Sequence, residues 1–318
     1  MRHARFCREA RGETLKRQYN SIHQSTSVHS LVAQEHTMVE ISVVEQDERI
    51  DSQRYSNSKR LVLVCCHGTY NQAHMKSSPS DAHDEANWIL QPFQKSDPKT
   101  GKEGEHHTFI KHIEAANSLL DQDPDALLVF SGGKTQTLIN VTESESYLQC
   151  SADLDPVKRH LDRTMLETQA TDSYQNLLFS ILAFHRRTGS YPGHVTVVTH
   201  DFKERRFLEL HARAIKWPLS RINVLGVDPP FTPADREETL AGEQMRGYGL
   251  FAENLYGVRD PLAKKRRDRG WNDAIVVELC KDLEPEAQAL LVWAGGDDGK
   301  RVFPVSYTHL TLPTKRIV

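Results

Sequence analysis

Three short clusters of polar and glycine residues follow apolar runs in this chain: Cys66-His67-Gly68 after Leu61–Cys65, Ser131-Gly132-Gly133 after Ala126–Phe130, and Thr199-His200 after His194–Val198. His67 has the chemistry to polarise a ligand or carry a proton near neutral pH, although a hydrogen-bonded structural histidine reads equally well. Ser131, Gly132 and Gly133 can bend the backbone tightly, turn N–H groups toward an anion and add a hydroxyl donor; the alternative is an ordinary strand-to-loop turn. Gly68 and Thr199 extend the same polar edge. Lys203 and Arg206 open the next helical segment, where two cations are mismatched to the helix dipole unless an anion is present. Arg206 has the planar fork that suits phosphate or carboxylate. Arg206→Ala is therefore expected to weaken an anionic ligand and to leave the empty protein no less stable. Glu145 and Glu167 are candidate general acids or bases.

Other patterns yield less. Gly133-Lys134-Thr135 imitates the end of a P-loop, but the position that needs the first glycine is Leu128. Glu105-His106-His107 with His112 lacks helical i, i+4 spacing and reads as a polar helix start, so no metal site is expected. Cys65 and Cys66 read as core residues.

These residues need a scaffold. Leu61–Cys66, Ala126–Phe130, His194–Val198 and Ile222–Val227 are apolar runs of strand length, and the spacing between them suits helices. His107–Leu120 carries Phe109, Ile110, Ile113, Ala116 and Leu120 at helical spacing. After Thr171, Tyr174, Leu177, Leu178, Ile181 and Leu182 form a second apolar stripe; Asp172 can cap its start with Gln175 at the third position, and Gly189 and Pro192 stop it. Asn176 sits one position before that stripe and can point toward the strand ends. Asp155–Leu166, Lys203–Ile215, Arg236–Asn254 and Pro285–Trp293 are read as helical. Alternating strand and helix predict an α/β fold, a three-layer αβα arrangement around a mainly parallel sheet. In such a sheet the carboxyl ends of the strands form the ligand crevice, so the clusters are expected to share one site.

The flanks differ. Residues 1–57 are polar and lack sustained periodicity, and they read as an unpacked tail with one strand near Met38–Val44. Residues 58–304 form the α/β domain. Val305–Val318 (VSYTHLTLPTKRIV) resembles the translated read-through of a sequencing adapter, so the natural C-terminus is expected to be missing. A net charge of −3 argues against a dedicated nucleic-acid binder. Five cysteines without CxxC spacing fit a reducing compartment. No apolar run is long enough for a membrane span, and no secretory h-region is visible. A cytoplasmic protein is expected; the basic start (Arg2, Arg5, Arg8, Arg11) leaves a mitochondrial presequence as the alternative.

Four blocks together resemble the domain-of-unknown-function 218 family, which includes YdcF, SanA and ElyC in bacteria, and most closely its fungal branch. They are Leu61–Asn71, Leu127–Thr135 with Ser144–Leu148, Glu167–Ser180, and Val197–Phe207. The likeness spans about residues 61–229. The family's E-x-x-S-x-N-T-x-E-N pattern maps onto Glu167, Asp172, Ser173, Gln175 and Asn176, with Ala170 in place of a serine and Gln175 in place of a glutamate. Its later His-x-x-Arg becomes Lys203 and Arg206. The resemblance implies a Rossmann-like domain and, from one bacterial member, S-adenosylmethionine as a cofactor candidate; it implies no settled reaction.

Three functions are consistent with these readings. The first is binding of, or catalysis on, a small anionic molecule such as a nucleotide, a phosphate ester or S-adenosylmethionine. Gly68, Ser131, Gly132, Gly133, Asp172, Ser173, Asn176, Thr199, Lys203 and Arg206 would bind it, with His67, Glu145 or Glu167 supplying acid–base chemistry. The second is a non-catalytic scaffold that binds a protein partner through its tail or the basic run Lys264–Arg269. The third is an acyl hydrolase with Ser131 as nucleophile and His67 or His200 as base, although Ser131 lacks the G-x-S-x-G elbow.

Overall fold

The computed structural model describes residues 55–71, 81–136, 139–155 and 160–304. The apolar runs lie side by side as one five-stranded sheet: β1 (Arg60–Cys65), β2 (Ala126–Ser131), β3 (Thr164–Glu167), β4 (His194–Thr199) and β5 (Ile222–Gly226), in the order β3-β2-β1-β4-β5. Every neighbouring pair is parallel. The four expected strands are all present and adjacent, with helices on both faces. The expected strand near Met38–Val44 and the adapter-like stretch Val305–Val318 lie outside the described residues.

The period-two rule of a strand builds the layers. Leu61, Leu63 and Cys65 of β1 face one apolar cluster, with Leu127, Val129, Val195 and Val197 of its neighbours. Val62 and Val64 face the other, with Leu128, Phe130 and Val198. Helix α1 (His106–Gln122) covers the second face with Phe109, Ile110, Ile113, Ala116 and Leu120, joined by Tyr147 and Cys150 of α2 (Glu143–Leu154). Helix α3 (Ser173–Thr188) covers the first face with Leu177, Leu178, Ile181 and Leu182. Each fully buried Leu, Ile or Val side chain contributes roughly 1.5–3 kcal/mol, so β1 and its two helices are the main stabilising unit.

Helix α3 starts as its sequence implies. The Asp172 carboxylate accepts from the Gln175 amide at 3.0 Å, and Gly189 ends the helix with φ of 70°. The stretch expected as helix over Asp155–Leu166 is different. Helix α2 stops at Leu154, and Thr164–Glu167 is the edge strand β3. Met165 packs against one cluster and Leu166 against the other, a strand's alternation over too few residues to stand out in sequence. Tyr55, placed by sequence in the tail, is buried in the core and donates its hydroxyl to the Asp162 carbonyl at 2.5 Å.

Two helical segments beyond β4 carry wide turns. After a short turn at Asp201–Lys203, residues Arg206–His211 form a π-helical turn. Helix α4 (Pro233–Glu243) begins three residues before the expected Arg236, because Thr232 caps it through Asp235. It runs into a second π-helical turn, Gln244–Tyr248. Such turns concentrate at functional sites. The basic run falls on helix α5 (Leu262–Asp268). Among the described residues, no helix is long and apolar enough to cross a membrane.

Candidate functional site

The strand ends are level. Cys65, Ser131 and Glu167 sit side by side across β1, β2 and β3, and Thr199 pairs with Gly226 across β4 and β5. From β1 the chain crosses toward β2, whereas from β4 it crosses the other way toward β5. The connections thus part between β1 and β4, and an open α/β sheet binds its ligands at such a point. A cleft of about 690 Å³ lies there. His67, Gly68, Gly132, Asp172, Ser173, Asn176, Thr199, Lys203 and Arg206 all line it. Ser131, Gly133, Glu145 and Glu167 do not.

Ser131 lies beneath the floor, fully buried. Its hydroxyl donates to Glu167 Oε2 at 2.5 Å and accepts from Asn176 Nδ2 at 2.8 Å. The same Asn176 amide donates to the Ser131 carbonyl at 3.0 Å. With its proton committed and no exposed surface, Ser131 is placed neither to attack a substrate nor to donate to an anion. The glycine amides are committed as well: Gly132 N–H donates to the Glu167 carbonyl at 3.0 Å and Gly133 N–H to the Ala170 carbonyl at 2.7 Å. These glycines serve close packing. A Cβ at Gly132 would lie 2.9 Å from Cβ of Cys66 and of Glu143, and one at Gly133 would lie 2.9 Å from the Ala170 carbonyl. The anion-cradle reading of Ser131-Gly132-Gly133 is overturned by these bonds.

Glu167 anchors this subfloor. Its Oε1 accepts from the amides of Gln169 at 2.7 Å and Ala170 at 3.0 Å. Burial pushes its carboxyl up to about 7, against the pull of those bonds and of Ser131. Glu145 is not at the site. It is exposed and closes a capping box with Thr142, accepting at 2.8 Å from the Thr142 amide and again from its hydroxyl. The acid of α2 that does reach the cleft is Glu143, bonded to the Thr135 hydroxyl and pushed up by burial. The sequence carried the signal: Thr142-x-x-Glu145 is a capping pattern, which assigns Glu145 to the helix end and leaves Glu143 free.

Two of the expected ligand residues are tied into ion pairs. Asp172 caps α3 with Oδ1 and meets Arg266 Nε with Oδ2 at 2.5 Å, both side chains nearly buried. Burial raises its carboxyl, yet Arg266 and the Gln175 amide outweigh this and hold it below the usual carboxylate range. Arg206 is not waiting for an anion. Its Nε lies 2.9 Å from Glu243 Oε1, and its Nη2 donates to Oε2 at 3.0 Å. Ser173 bonds His211 at 2.8 Å.

What remains open to the cleft is Lys203. Among the described residues its side chain has no carboxylate within 4.0 Å, and its polar contact is His67 Nδ1 at 3.3 Å. Burial, reinforced by Arg206, pushes its ammonium down to about 8. His67 bonds Thr199 Oγ1 through Nε2 at 3.0 Å and meets the tilted His200 ring with centroids 4.5 Å apart. Burial first, then Lys203 and His200, hold His67 well below its usual value, so it is neutral at pH 7. His200 is likewise neutral and buried, and its Nδ1 has no hydrogen-bond partner among the described residues. His112 bonds the Val227 carbonyl at 2.9 Å and His106 the His83 carbonyl at 3.0 Å.

The basic run also contributes. Arg266 is taken by Asp172, Lys264 by Asp268 and Arg267 by Asp260. Lys265 and Arg269 line the cleft, Arg269 donating to the Thr171 carbonyl at 2.7 Å. Glu105 lines the cleft too, its carboxyl raised by burial. Sequence reading placed Lys264–Arg269 at a partner surface because nothing local links α5 to α3; the link is Arg266–Asp172.

No protein-family model matches this chain, and no solved structure matches it. A similar protein is the uncharacterized protein YOR238W of Saccharomyces cerevisiae, 27% identical over 261 residues, covering 66% of this chain and 82% of its own. Its name carries no activity.

Proposed function

We propose that this is a small-molecule-binding protein of the domain-of-unknown-function 218 family, acting in the cytoplasm, whose cleft takes an anionic group: the phosphate of a nucleotide or phosphate ester, or, as the lesser candidate, the carboxylate of S-adenosylmethionine. The observation that carries this reading is Lys203, a half-buried cation at the strand ends with no carboxylate within 4.0 Å among the described residues. Lys265 and Arg269 stand on the same cleft. A cation removed from water and left uncompensated is unfavourable, and an anionic ligand would compensate it. Neutral His67, raised Glu143 and Lys203 itself are the groups available for proton transfer. Against the scaffold reading, Arg266 of its basic run is held in a buried pair with Asp172 while Lys265 and Arg269 face the cleft; against the hydrolase reading, the Ser131 proton is held by Glu167.

A thermal-shift screen with nucleotides, S-adenosylmethionine and sugar phosphates tests the proposal. A ligand at 100 times its Kd adds about 2.7 kcal/mol. The expected result is stabilisation by phosphate-bearing compounds and none by their dephosphorylated counterparts. Equal shifts with neutral counterparts would sink the anion reading.

A further inference from the structure

Lys203 is arranged to do more than neutralise charge. A lysine nitrogen offers only N–H groups to a neighbouring acceptor when protonated, so Nδ1 of His67 receives the 3.3 Å bond. Nε2 then carries the ring proton and donates to Thr199 Oγ1 at 3.0 Å. Thr199 is fully buried in β4, which fixes the ring with its lone pair directed at Lys203. The charged and titratable groups acting on the amine are Arg206 on its own segment, Glu243 at the end of α4, Cys65 at the end of β1 and Glu105 before α1. Arg206 pushes the amine down, and Glu243, although paired with Arg206, pulls it the other way by less. Burial pushes the Cys65 thiol up to about 12, so it carries no charge near neutral pH. His112 and His200, whose rings contact His67, are neutral as well. Burial and Arg206 together keep the amine's proton loosely held, the condition under which a lysine becomes a nucleophile.

We propose that Lys203 forms an imine with the carbonyl group of an anionic aldehyde or ketone held in this cleft, with His67 relaying the protons. The proposal rests on the anion-binding reading and names the substrate class for it. The neutral amine attacks the carbonyl carbon, and the C=O π pair moves to oxygen. As the nitrogen becomes positive, one N–H proton passes through His67 Nδ1 to that oxygen, giving a carbinolamine. The C–O bond then breaks, the second N–H proton leaves with the hydroxyl as water, and C=N forms. No oxidant or metal is required.

The probe is pyridoxal phosphate, an aldehyde carrying a phosphate, followed by borohydride reduction and peptide mass mapping of the full chain. Lys203 is expected to be modified about tenfold or more faster than the surface lysines at pH 8, because a surface lysine is almost wholly protonated there; burial pushes Lys265 down to about 8 as well, and Lys203 is expected to outpace it through its contact with His67. Pyridoxal without phosphate should be slower, and inorganic phosphate should protect. Lys203→Arg should lose the fast site while the surface lysines keep their slow rates. His67→Gln should slow labelling at Lys203 and leave the rates of the surface lysines in place. If Lys203→Arg does not fold, the wild-type map and phosphate protection decide alone. Fast labelling at Lys265, or spread evenly over the lysines, would overturn the imine proposal while a phosphate shift would leave anion binding standing. Fast labelling of Lys203 by both aldehydes alike, with neither shift nor protection by phosphate, would keep the reactive amine but overturn the anionic substrate class.

Discussion

Arg206, the first residue of one π-helical turn, pairs with Glu243, the residue just before the other, with Nε 2.9 Å from Oε1 and Nη2 donating to Oε2 at 3.0 Å. Each side chain is only 11% exposed. The Nε contact is an ion contact without hydrogen-bond geometry, so the pair is one hydrogen bond reinforced by charge. Removing one partner of such a pair strands the other. Arg206→Ala is therefore expected to destabilise the ligand-free protein by about 3–5 kcal/mol, the reverse of the sequence expectation. Replacing both residues with apolar ones of similar volume should restore most of the loss. Urea unfolding of the single and double variants measures both effects, and a single variant within 0.5 kcal/mol of wild type would contradict the pair's structural role.

Ser131 supports a second prediction. Its hydroxyl satisfies Glu167 and Asn176 below the cleft floor. Ser131→Ala leaves a buried carboxylate oxygen without its donor and should cost about 1–3 kcal/mol. A fluorophosphonate should leave Ser131 unlabelled in the folded protein. Stoichiometric labelling there would restore the hydrolase reading.

Glu167 makes stability depend on pH. Its folded carboxyl sits at about 7 against an ordinary value of 4.5, so burial favours its protonated form. Its contribution is greatest below about pH 4.5 and is lost as pH rises through 7. Glu167→Gln removes that titration. Relative to wild type, the variant should gain on the order of 2–4 kcal/mol between pH 4.5 and pH 8, read as a shift in the difference between their urea midpoints. A difference that stays constant over this range would show that Glu167 is ionised throughout.

The sheet was legible in sequence because β1 and β2 are buried on both faces and so read as nearly unbroken apolar runs, while β4 shows its valines at Val195, Val197 and Val198. The cap of α3 was legible because Asp172 and Gln175 are three residues apart. Strand β3 was not, since four residues carry too little alternation. The site was legible as a place more than as a set of contacts. His67, Thr199 and Lys203 follow directly from the strand ends. The partners that reassign Ser131, Asp172 and Arg206 lie 36, 94 and 37 residues away and belong to no local pattern. A dipole argument identified Lys203 and Arg206 alike as unneutralised cations, and only tertiary structure separates Arg206, paired with Glu243, from Lys203, which meets His67.

Lys203 is thus the residue to which the original expectation for Arg206 transfers. Its amine is pushed down to about 8, so the protonated form is penalised on folding. The neutral form's advantage is present in full above the ordinary value of 10.5 and is lost as pH falls through 8. At pH 7 the folded protein therefore holds an unfavourable charge. Lys203→Met should leave the empty protein as stable as wild type or raise it by on the order of 1–3 kcal/mol, because the apolar side chain has no charge to desolvate. The same change should weaken a phosphate-bearing ligand by about 1.5–3 kcal/mol through loss of a charged hydrogen bond. Wild-type affinity should be flat below pH 8 and fall above it as the amine loses its proton, apart from any titration of the ligand itself. Paired melting curves at pH 7 and pH 9, with and without the ligand, separate the two effects. A Lys203→Met protein that loses several kcal/mol when empty, or binds as tightly as wild type at pH 7, would remove Lys203 from the site.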